Sequence, residues 1–387
     1  MDIKQIYELT NGTVKEVLGE TAVVNEDLSN LVSIGDQVFN ASAYDKYVKS
    51  LINHIGKMIF VIRAYEGGAP SVLMDNWEFG SILEKVQMDM PQATENETWE
   101  LVDGASYDPN VFYQPKVTVK FYNDLTTFEV PLSFTEKQVK QSFSNITQYN
   151  SFISMLYNGV DKAMTVRTDN LIMRTINNFI GETIHADYGT SALNSKSGVK
   201  AVNLLYLYNQ KHQGATLTVN KCMQEPEFIR FACYMIKLYA SRMRKISKLF
   251  NIGAKERFTP TSLLHIVMLS EFKESADIWL QSSTFHNELT KLPNAEDVAY
   301  WQGSGTDYGF DSTSEIDVKL ASDNTVTVQT TGILAILFDR DALGVSLFER
   351  RVTSNYNPKA EFITNWYKQD ARYFNDFNEN FVVFFIA

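Results

Sequence analysis

The chain has 387 residues, 44% hydrophobic and 21% charged, which excludes a disordered polypeptide and allows one large domain or two to three ordinary ones. Its 46 carboxylates against 35 Lys and Arg leave a formal charge of −11, which argues against a dedicated nucleic-acid binder. Aromatic residues reach 13%, a composition suited to large cores and protein interfaces.

The opening Met1-Asp2-Ile3-Lys4-Gln5 has no basic region followed by an apolar stretch, and no window nears about eighteen uninterrupted apolar residues. Neither a signal peptide nor a membrane-spanning helix is expected. Residues 1 to about 50 are mixed and polar, with weak amphipathic patches at Val14–Leu18 and Tyr44–Ile55, and read as an arm or small subdomain. A strand-like run, Met58-Ile59-Phe60-Val61-Ile62, ends at the breaker cluster Gly67-Gly68-Ala69-Pro70. From Glu66 to Val130, twelve carboxylates oppose only Lys85, Lys116 and Lys120, a local balance of −9. Within this stretch Val117, Val119 and Phe121 alternate with Lys116, Thr118 and Lys120. Asn123-Asp124 supplies turn chemistry, and Phe128, Val130 and Leu132 alternate on the return. That pattern predicts a hairpin between the two runs.

Ser133-Phe134-Thr135-Glu136 has the form of a capping box and predicts the start of a helical region. Phe143, Ile146, Ile153, Leu156, Tyr157, Val160 and Met164 recur at helical steps, continued by Leu171, Ile172, Ile176, Phe179, Ile180 and Ile184. A helix from about Thr147 to His185 would be roughly 55–60 Å long at about 1.5 Å per residue, with Gly159 and Thr165-Val166 as points of interruption. Asp187 to Ser197 reads as a loop. A second helix is expected from Gln224 to Phe250, with Pro226 in its first turn and Glu225 and Glu227 at the positive end of its dipole. Lys221 to Arg257 carries nine basic residues against three acidic ones, a local +6. A strand-like Leu263–Leu269 and an amphipathic helix over Phe272–Phe285 follow. Strand-like runs then alternate with loops: Thr325–Gln329, Ile333–Phe338, Val345–Arg351 and Phe381–Ile386. The class is α+β.

Catalytic and metal-binding signatures are sparse. Cys222 and Cys233, eleven apart, fit neither a disulfide framework nor a C-x-x-C pair, and read as buried small hydrophobes in a reducing compartment. His54, His185, His212, His265 and His286 lack metal-site spacing, and His265 sits in an apolar run as a core histidine. Gly303-Ser304-Gly305 reads as a flexible loop. Asp339-Arg340-Asp341 imitates a carboxylate pair, although two acids leaving a strand are also plain turn chemistry. Arg230, Lys237, Arg242, Arg244, Lys245 and Lys248 form a solvated or partner-facing basic face, since the interleaved aromatics fall on the buried stripe. Phe374, Phe377, Phe381, Phe384 and Phe385 read as strand core. No cofactor is expected.

The element order itself is distinctive: a polar arm, an extended acidic hairpin, a very long helix, an α+β middle and returning C-terminal strands. That order resembles the major capsid proteins of tailed bacteriophages, the Hong Kong 97-type fold. Three stretches look like coat proteins of small short-tailed Bacillus phages: Phe121-Tyr122-Asn123 through the helix ending near His185; Leu264-His265-Ile266-Val267-Met268 with Phe272, Leu280 and Phe285; and Thr331-Gly332-Ile333-Leu334-Ala335-Ile336-Leu337-Phe338-Asp339-Arg340-Asp341-Ala342. Arg350, Arg351, Asn357-Pro358 and a run of aromatics close the last stretch. The likeness spans roughly residues 115 to 387, without the immunoglobulin-like C-terminal extension of those coat proteins.

The resemblance implies an arm (1–55), an extended E-loop region (56–132), a peripheral domain with a spine helix (133–190), an axial domain (191–330) and returning peripheral-domain strands (331–387). It further implies a non-enzymatic virion protein that self-assembles as hexamers and pentamers into an icosahedral or prolate head. Such a head encloses double-stranded DNA without sequence-specific binding and without a membrane. Assembly in the bacterial cytoplasm, with scaffolding and portal proteins as partners, belongs to the same expectation. The acidic loop, with Glu95, Glu97 and Glu100, would then meet a neighbour's basic surface, for which Arg242, Arg244, Lys245, Lys248, Arg350 and Arg351 are the candidates. The rival readings are a portal or tail subunit, and a hydrolase using Asp339 and Asp341.

Overall fold

The computed structural model describes residues 3–19, scattered positions between 24 and 50, 69–74, 83–95, most of 102–135, 146–212, 216–281, most of 295–304, and 315–387. The Met58–Ile62 run lies outside the described residues. In chain order the elements are α1 (Ile3–Leu18), β1 (Leu73–Met74), β2 (Leu83–Met88), β3 (Val117–Tyr122), β4 (Leu125–Thr135) and α2 (Ile146–Tyr188). β5 (Ala201–Asn203), α3 (Leu204–Lys211), α4 (Pro226–Met243), β6 (Leu264–Leu269), α5 (Ser270–Gln281), β7 (Ala295–Val298) and β8 (Gly303–Ser304) follow. The chain closes with β9 (Ile316–Lys319), β10 (Thr327–Thr330), β11 (Ile333–Asp339), β12 (Leu343–Asn357), β13 (Phe362–Asn375) and β14 (Phe381–Phe385).

The long helix forms without interruption over 43 residues, about 65 Å at 1.5 Å per residue. Neither Gly159 nor the β-branched residues break it. The hydroxyls of Thr165, Thr168, Thr175 and Thr183 each donate to the carbonyl four residues earlier, so these threonines join the helix ladder instead of competing with it. In its second half Ile172, Ile176, Phe179 and Ile180 are fully buried, and nearly every residue from Leu171 to Ile184 is out of water. Apolar surface all round a helix marks a segment that runs through a core, and α2 is packed by strands of three sheets. Its end is anchored at Asp187, whose carboxylate accepts from the backbone N–H groups of Lys200 and Ala201 and pairs with the Lys200 ammonium at 2.7 Å.

A five-stranded sheet runs in the order β5-β14-β11-β6-β7, with β11 antiparallel to both β14 and β6. Both faces of its centre are covered, so β11 and β14 are continuous apolar runs without alternation. Phe179 stacks on Phe381 at 4.1 Å and meets Phe377 edge-on, tying α2 to this sheet. A four-stranded sheet, β1-β12-β13-β4, is built on the long antiparallel pairing of β12 and β13. The small sheet β10-β9-β8 lies against α2, where the Glu182 carboxylate accepts from the backbone and hydroxyl of Ser322. Of the C-terminal phenylalanines expected in strand core, Phe374, Phe381, Phe384 and Phe385 are buried in strands, whereas Phe377 lies half-buried in the turn between β13 and β14.

Several expectations need correction. The runs 117–122 and 125–135 are both strands, but they do not pair with each other. β3 pairs antiparallel with β2, while β4 joins β13 over eleven residue pairs. Ser133 and Thr135 belong to β4, where the Ser133 hydroxyl bonds across the sheet to Thr364 at 2.8 Å, and residues 136–145 lie outside the described residues. The second helix stops at Met243, and Ser247 pairs instead with Arg257 in an isolated bridge. The opening segment forms a 16-residue helix, α1, beyond the weak patch at Val14–Leu18.

Gly332 starts β11 with φ +71°, and a Cβ there would lie 2.5 Å from the Ile386 carbonyl oxygen. Gly332→Ala therefore combines a left-handed backbone penalty of about 1–2 kcal/mol with a backbone clash. Urea unfolding should show at least that loss in the variant.

Candidate functional site

β2 and β3 form a two-stranded ribbon that pairs with no other described strand. Two strands alone are marginal in water, so the ribbon depends on what it rests on. Its two faces are unlike. Leu83, Lys85, Gln87, Thr118, Lys120 and Tyr122 point inward, whereas Glu84, Val86, Met88, Val117, Val119 and Phe121 point to solvent. The polarity is inverted relative to an ordinary half-buried ribbon. Phe121 is 64% exposed, and beyond the ribbon Phe112 and Tyr113 are 83% and 84% exposed.

The inward face meets an acidic receptor on the 376–380 turn between β13 and β14. The register places Lys85 directly opposite Lys120, an arrangement that repels unless an anion sits between them. Asp376 is that anion. Its fully buried carboxylate pairs with Lys85 at 2.8 Å and with Lys120 at 2.9 Å. Glu379 accepts from Lys85 at 2.9 Å and from the Gln87 amide at 2.6 Å, and lies 3.5 Å from the Arg257 guanidinium. Arg257 also donates to the Gln87 carbonyl oxygen, and Lys255 pairs with Asp89 at 3.1 Å at the outer edge. Tyr122 packs on Phe374 with ring centroids 5.2 Å apart.

The receptor is itself held rigidly. Asp376 N–H donates to Ala342 O at 2.7 Å, Gly253 N–H to Phe377 O at 2.9 Å, and Asn378 N–H to the Asp376 carboxylate at 3.1 Å. The approach of Gly253 to Asn378 leaves no room for a side chain: a Cβ would lie 2.0 Å from Asn378 Oδ1. Behind it, Asn380 donates to the Thr259 hydroxyl, which donates to buried Asp339 at 2.7 Å. Burial would raise the Asp376 carboxyl, yet hydrogen bonds from Lys85 and Lys120 outweigh it and hold the group below the ordinary carboxylate range. Burial, then the charges of Asp376 and Glu379, push the Tyr122 phenol far above its ordinary range, so it stays neutral.

The residues singled out from the sequence fall into different settings. Glu95 is exposed on the segment following β2; Glu97 and Glu100 lie outside the described residues. Arg242 stands over the Tyr239 ring at the end of α4, and Arg244 donates to the Ser241 hydroxyl at 3.0 Å. Lys245 is exposed, and Lys248 pairs with Glu256 at 3.2 Å across the loop that follows α4. The basic cluster is thus a helix end plus a loop, in place of one long helix. That loop also exposes Ile246, Leu249 and Phe258. Arg350 and Arg351 are engaged within the subunit: Arg350 donates to Gln369 at 3.0 Å and lies 3.6 Å from Asp161, and Arg351 pairs with Asp370.

The candidate catalytic pair does not come together as a site. Both carboxylate oxygens of Asp339 are occupied, one by Thr259 and the other by the Asp341 N–H at 3.0 Å, so the residue braces the β11–β12 turn. Burial raises its carboxyl above the ordinary range despite those bonds. Asp341 is exposed, and its backbone carbonyl accepts from Lys85. Cys222 and Cys233 are buried free thiols, pushed up to about 11 by burial and so unreactive. His265 is half-buried and stacks on Phe338 at 5.4 Å. Among the described residues no group of three or more His, Cys, Asp or Glu could hold a metal ion, and no helix is long and apolar enough to cross a membrane.

A model of the Phi29-like phage major capsid protein family matches residues 10–385. No curated protein matches the chain at a significant level. Among solved structures, one of the head fiber and inner core protein gp22 of native bacteriophage P68 contains a chain 10% identical to this one. The alignment covers 82% of this chain and 83% of that one, with a TM-score of 0.50, a likeness of fold alone. The capsid structure of Staphylococcus phage Andhra gives 11% identity over 82% and 83% of the two chains, with a TM-score of 0.48.

Asp376→Asn should destabilise the subunit by about 3 kcal/mol in urea unfolding, the lower end for breaking a buried ion pair because both lysines keep some access to water. Since the folded Asp376 value is depressed, its contribution is complete above the unfolded carboxylate value of about 3.9 and is lost as pH falls through the depressed value. The protection of the ribbon amides, taken relative to their intrinsic exchange rate at each pH, should therefore stay high at pH 5 and fall only in stronger acid.

Proposed function

The chain belongs to the Phi29-like phage major capsid protein family, a structural virion component and not an enzyme, and we propose that its copies assemble through the outward face of the β2–β3 ribbon. The observation that supports this reading is the inverted polarity: Val86, Met88, Val117, Val119 and Phe121 face solvent in the single subunit. Burying one such side chain from full exposure is worth about 1.5–3 kcal/mol, and these five are roughly half exposed, so the face offers a gross gain of about 4–8 kcal/mol. Association consumes much of that gain. One contact is accordingly modest, and a closed ring of repeated contacts is what becomes stable.

The receiving surface in this reading is the basic, partly apolar end of α4 and the loop after it. Arg242, Arg244, Lys245 and Lys248 surround exposed Ile246, Leu249 and Phe258. Glu95, Glu97 and Glu100 would supply the opposite charge, giving register and steering more than net affinity. Arg350 and Arg351 carry less of the contact than their charge suggests, because their intramolecular partners already claim them. Hexamers and pentamers, enclosure of the double-stranded genome, separate scaffolding and portal proteins, and assembly in the bacterial cytoplasm complete the reading. So does the division into an arm, an E-loop region, and peripheral and axial domains. All of these rest on the resemblance to tailed-phage coat proteins.

Two experiments test the contact. Val119→Ser with Phe121→Ser should leave the far-ultraviolet circular dichroism of the subunit unchanged and lower the yield of shells in electron micrographs about tenfold or more. Reversing Glu95, Glu97 and Glu100 to Lys should also impair assembly, with partial recovery on mixing with a subunit in which Arg244, Lys245 and Lys248 become Glu. Full shell yields from either variant set would contradict the contact.

A further inference from the structure

The ribbon that carries the apolar face has no core of its own, so its pose is set by its footing on the rest of the subunit. That footing is a line of polar contacts on one face: Lys85 and Lys120 on Asp376, Lys85 and Gln87 on Glu379, and Lys255 on Asp89. Hydrophobic gain alone would turn the ribbon over and lay Val86, Val119 and Phe121 against the subunit's own surface. Two lysines facing each other across the ribbon oppose that outcome. They need a shared counter-ion, and the rigid 376–380 turn holds it where the lysine face must point inward. A strand slipped by one residue would exchange the faces and leave Asp376 buried without a cation.

We infer that Lys85 and Lys120, held by Asp376 and Glu379, are positioning residues for assembly: they fix the ribbon with its apolar side outward, in the pose that a second copy of this chain must meet. This inference rests on the assembly reading above, but it assigns a separate task to separate residues. The lysines touch no neighbouring copy in this scheme. They act through the ribbon they aim.

The test uses the full chain: distances are read between spin labels at Glu84→Cys on the ribbon and Ser241→Cys on α4, in labelled protein diluted into unlabelled protein, whereas shell yield is read on unlabelled protein that keeps native Glu84 and Ser241, because both lie on the proposed contact surfaces. The two native cysteines are buried and should not compete for label. With Lys85→Gln and Lys120→Gln together, the label–label distance distribution should broaden at least twofold and shell yield should fall at least tenfold, while circular dichroism stays unchanged. Lys120→Arg keeps the charge and should restore both readouts when introduced beside native Lys85. A distance distribution as narrow as the native one, or native shell yield, in the Gln double variant would overturn the inference. If the double variant does not fold, Lys120→Gln alone carries the same test, since that side chain is 34% exposed. The two readings fail separately. Native assembly by the Val119→Ser/Phe121→Ser variant sinks the apolar contact, whereas native distances in the lysine variants sink only the positioning role.

Discussion

One buried carboxylate between two facing lysines governs how this subunit presents itself. Asp376 has no exposure of its own, and its charge is tolerable only because Lys85 and Lys120 close on it from both strands of the ribbon. The lysines in turn can face each other only because Asp376 is there. Each side of the arrangement makes the other affordable, and the result is a fixed footing for a ribbon with no other strand partner. The polar network behind it, from Asn380 through Thr259 to Asp339, holds the turn in place and connects it to the central strand of the largest sheet. Asp339, the residue that most resembled a catalytic acid, is part of that brace.

Much of the fold could be read from the residues because local pattern and final environment agree there. The long helix, the apolar strands β11 and β14, and the strand–helix pair β6–α5 are all places where period and burial coincide. The failures have physical causes. β13 is not legible as a strand because its buried positions alternate Ile363, Asn365, Tyr367 and Gln369, so polar residues stand where apolar ones would mark a strand. The hairpin was placed between the wrong runs because Asn123-Asp124 is good turn chemistry. The partner that wins, Leu83–Met88, lies about thirty residues upstream, beyond the reach of local rules. Ser133-Phe134-Thr135-Glu136 satisfies the capping-box pattern, but eleven cross-strand pairs with β13 outweigh one cap.

The site was half legible. The contrast between an acidic extended stretch and a basic helical one was visible in the charges, and both stretches contribute exposed surface. The direction of the ribbon was not visible. Val117, Val119 and Phe121 alternate with Thr118 and Lys120 whichever face is inward, and the apolar face is the usual one to bury. What decides otherwise is Asp376, more than 250 residues away in sequence from both lysines. Arg350 and Arg351 have partners within the chain that their sequence positions do not reveal, Asp161 and Asp370.

The acids along the ribbon and the segment after it have a further consequence. Two copies of an apolar-faced ribbon are natural templates for each other, and edge-to-edge or face-to-face stacking of like ribbons is the usual route to fibrous aggregates. Glu84 on the apolar face and Glu95 just beyond it are suited to act as gatekeepers, because pairing of two such faces would bring like charges close together. The same repulsion disfavours a two-fold dimer in which ribbon meets ribbon. In the assembly proposed above, the same repulsion would favour a head-to-tail arrangement, which can propagate around a ring.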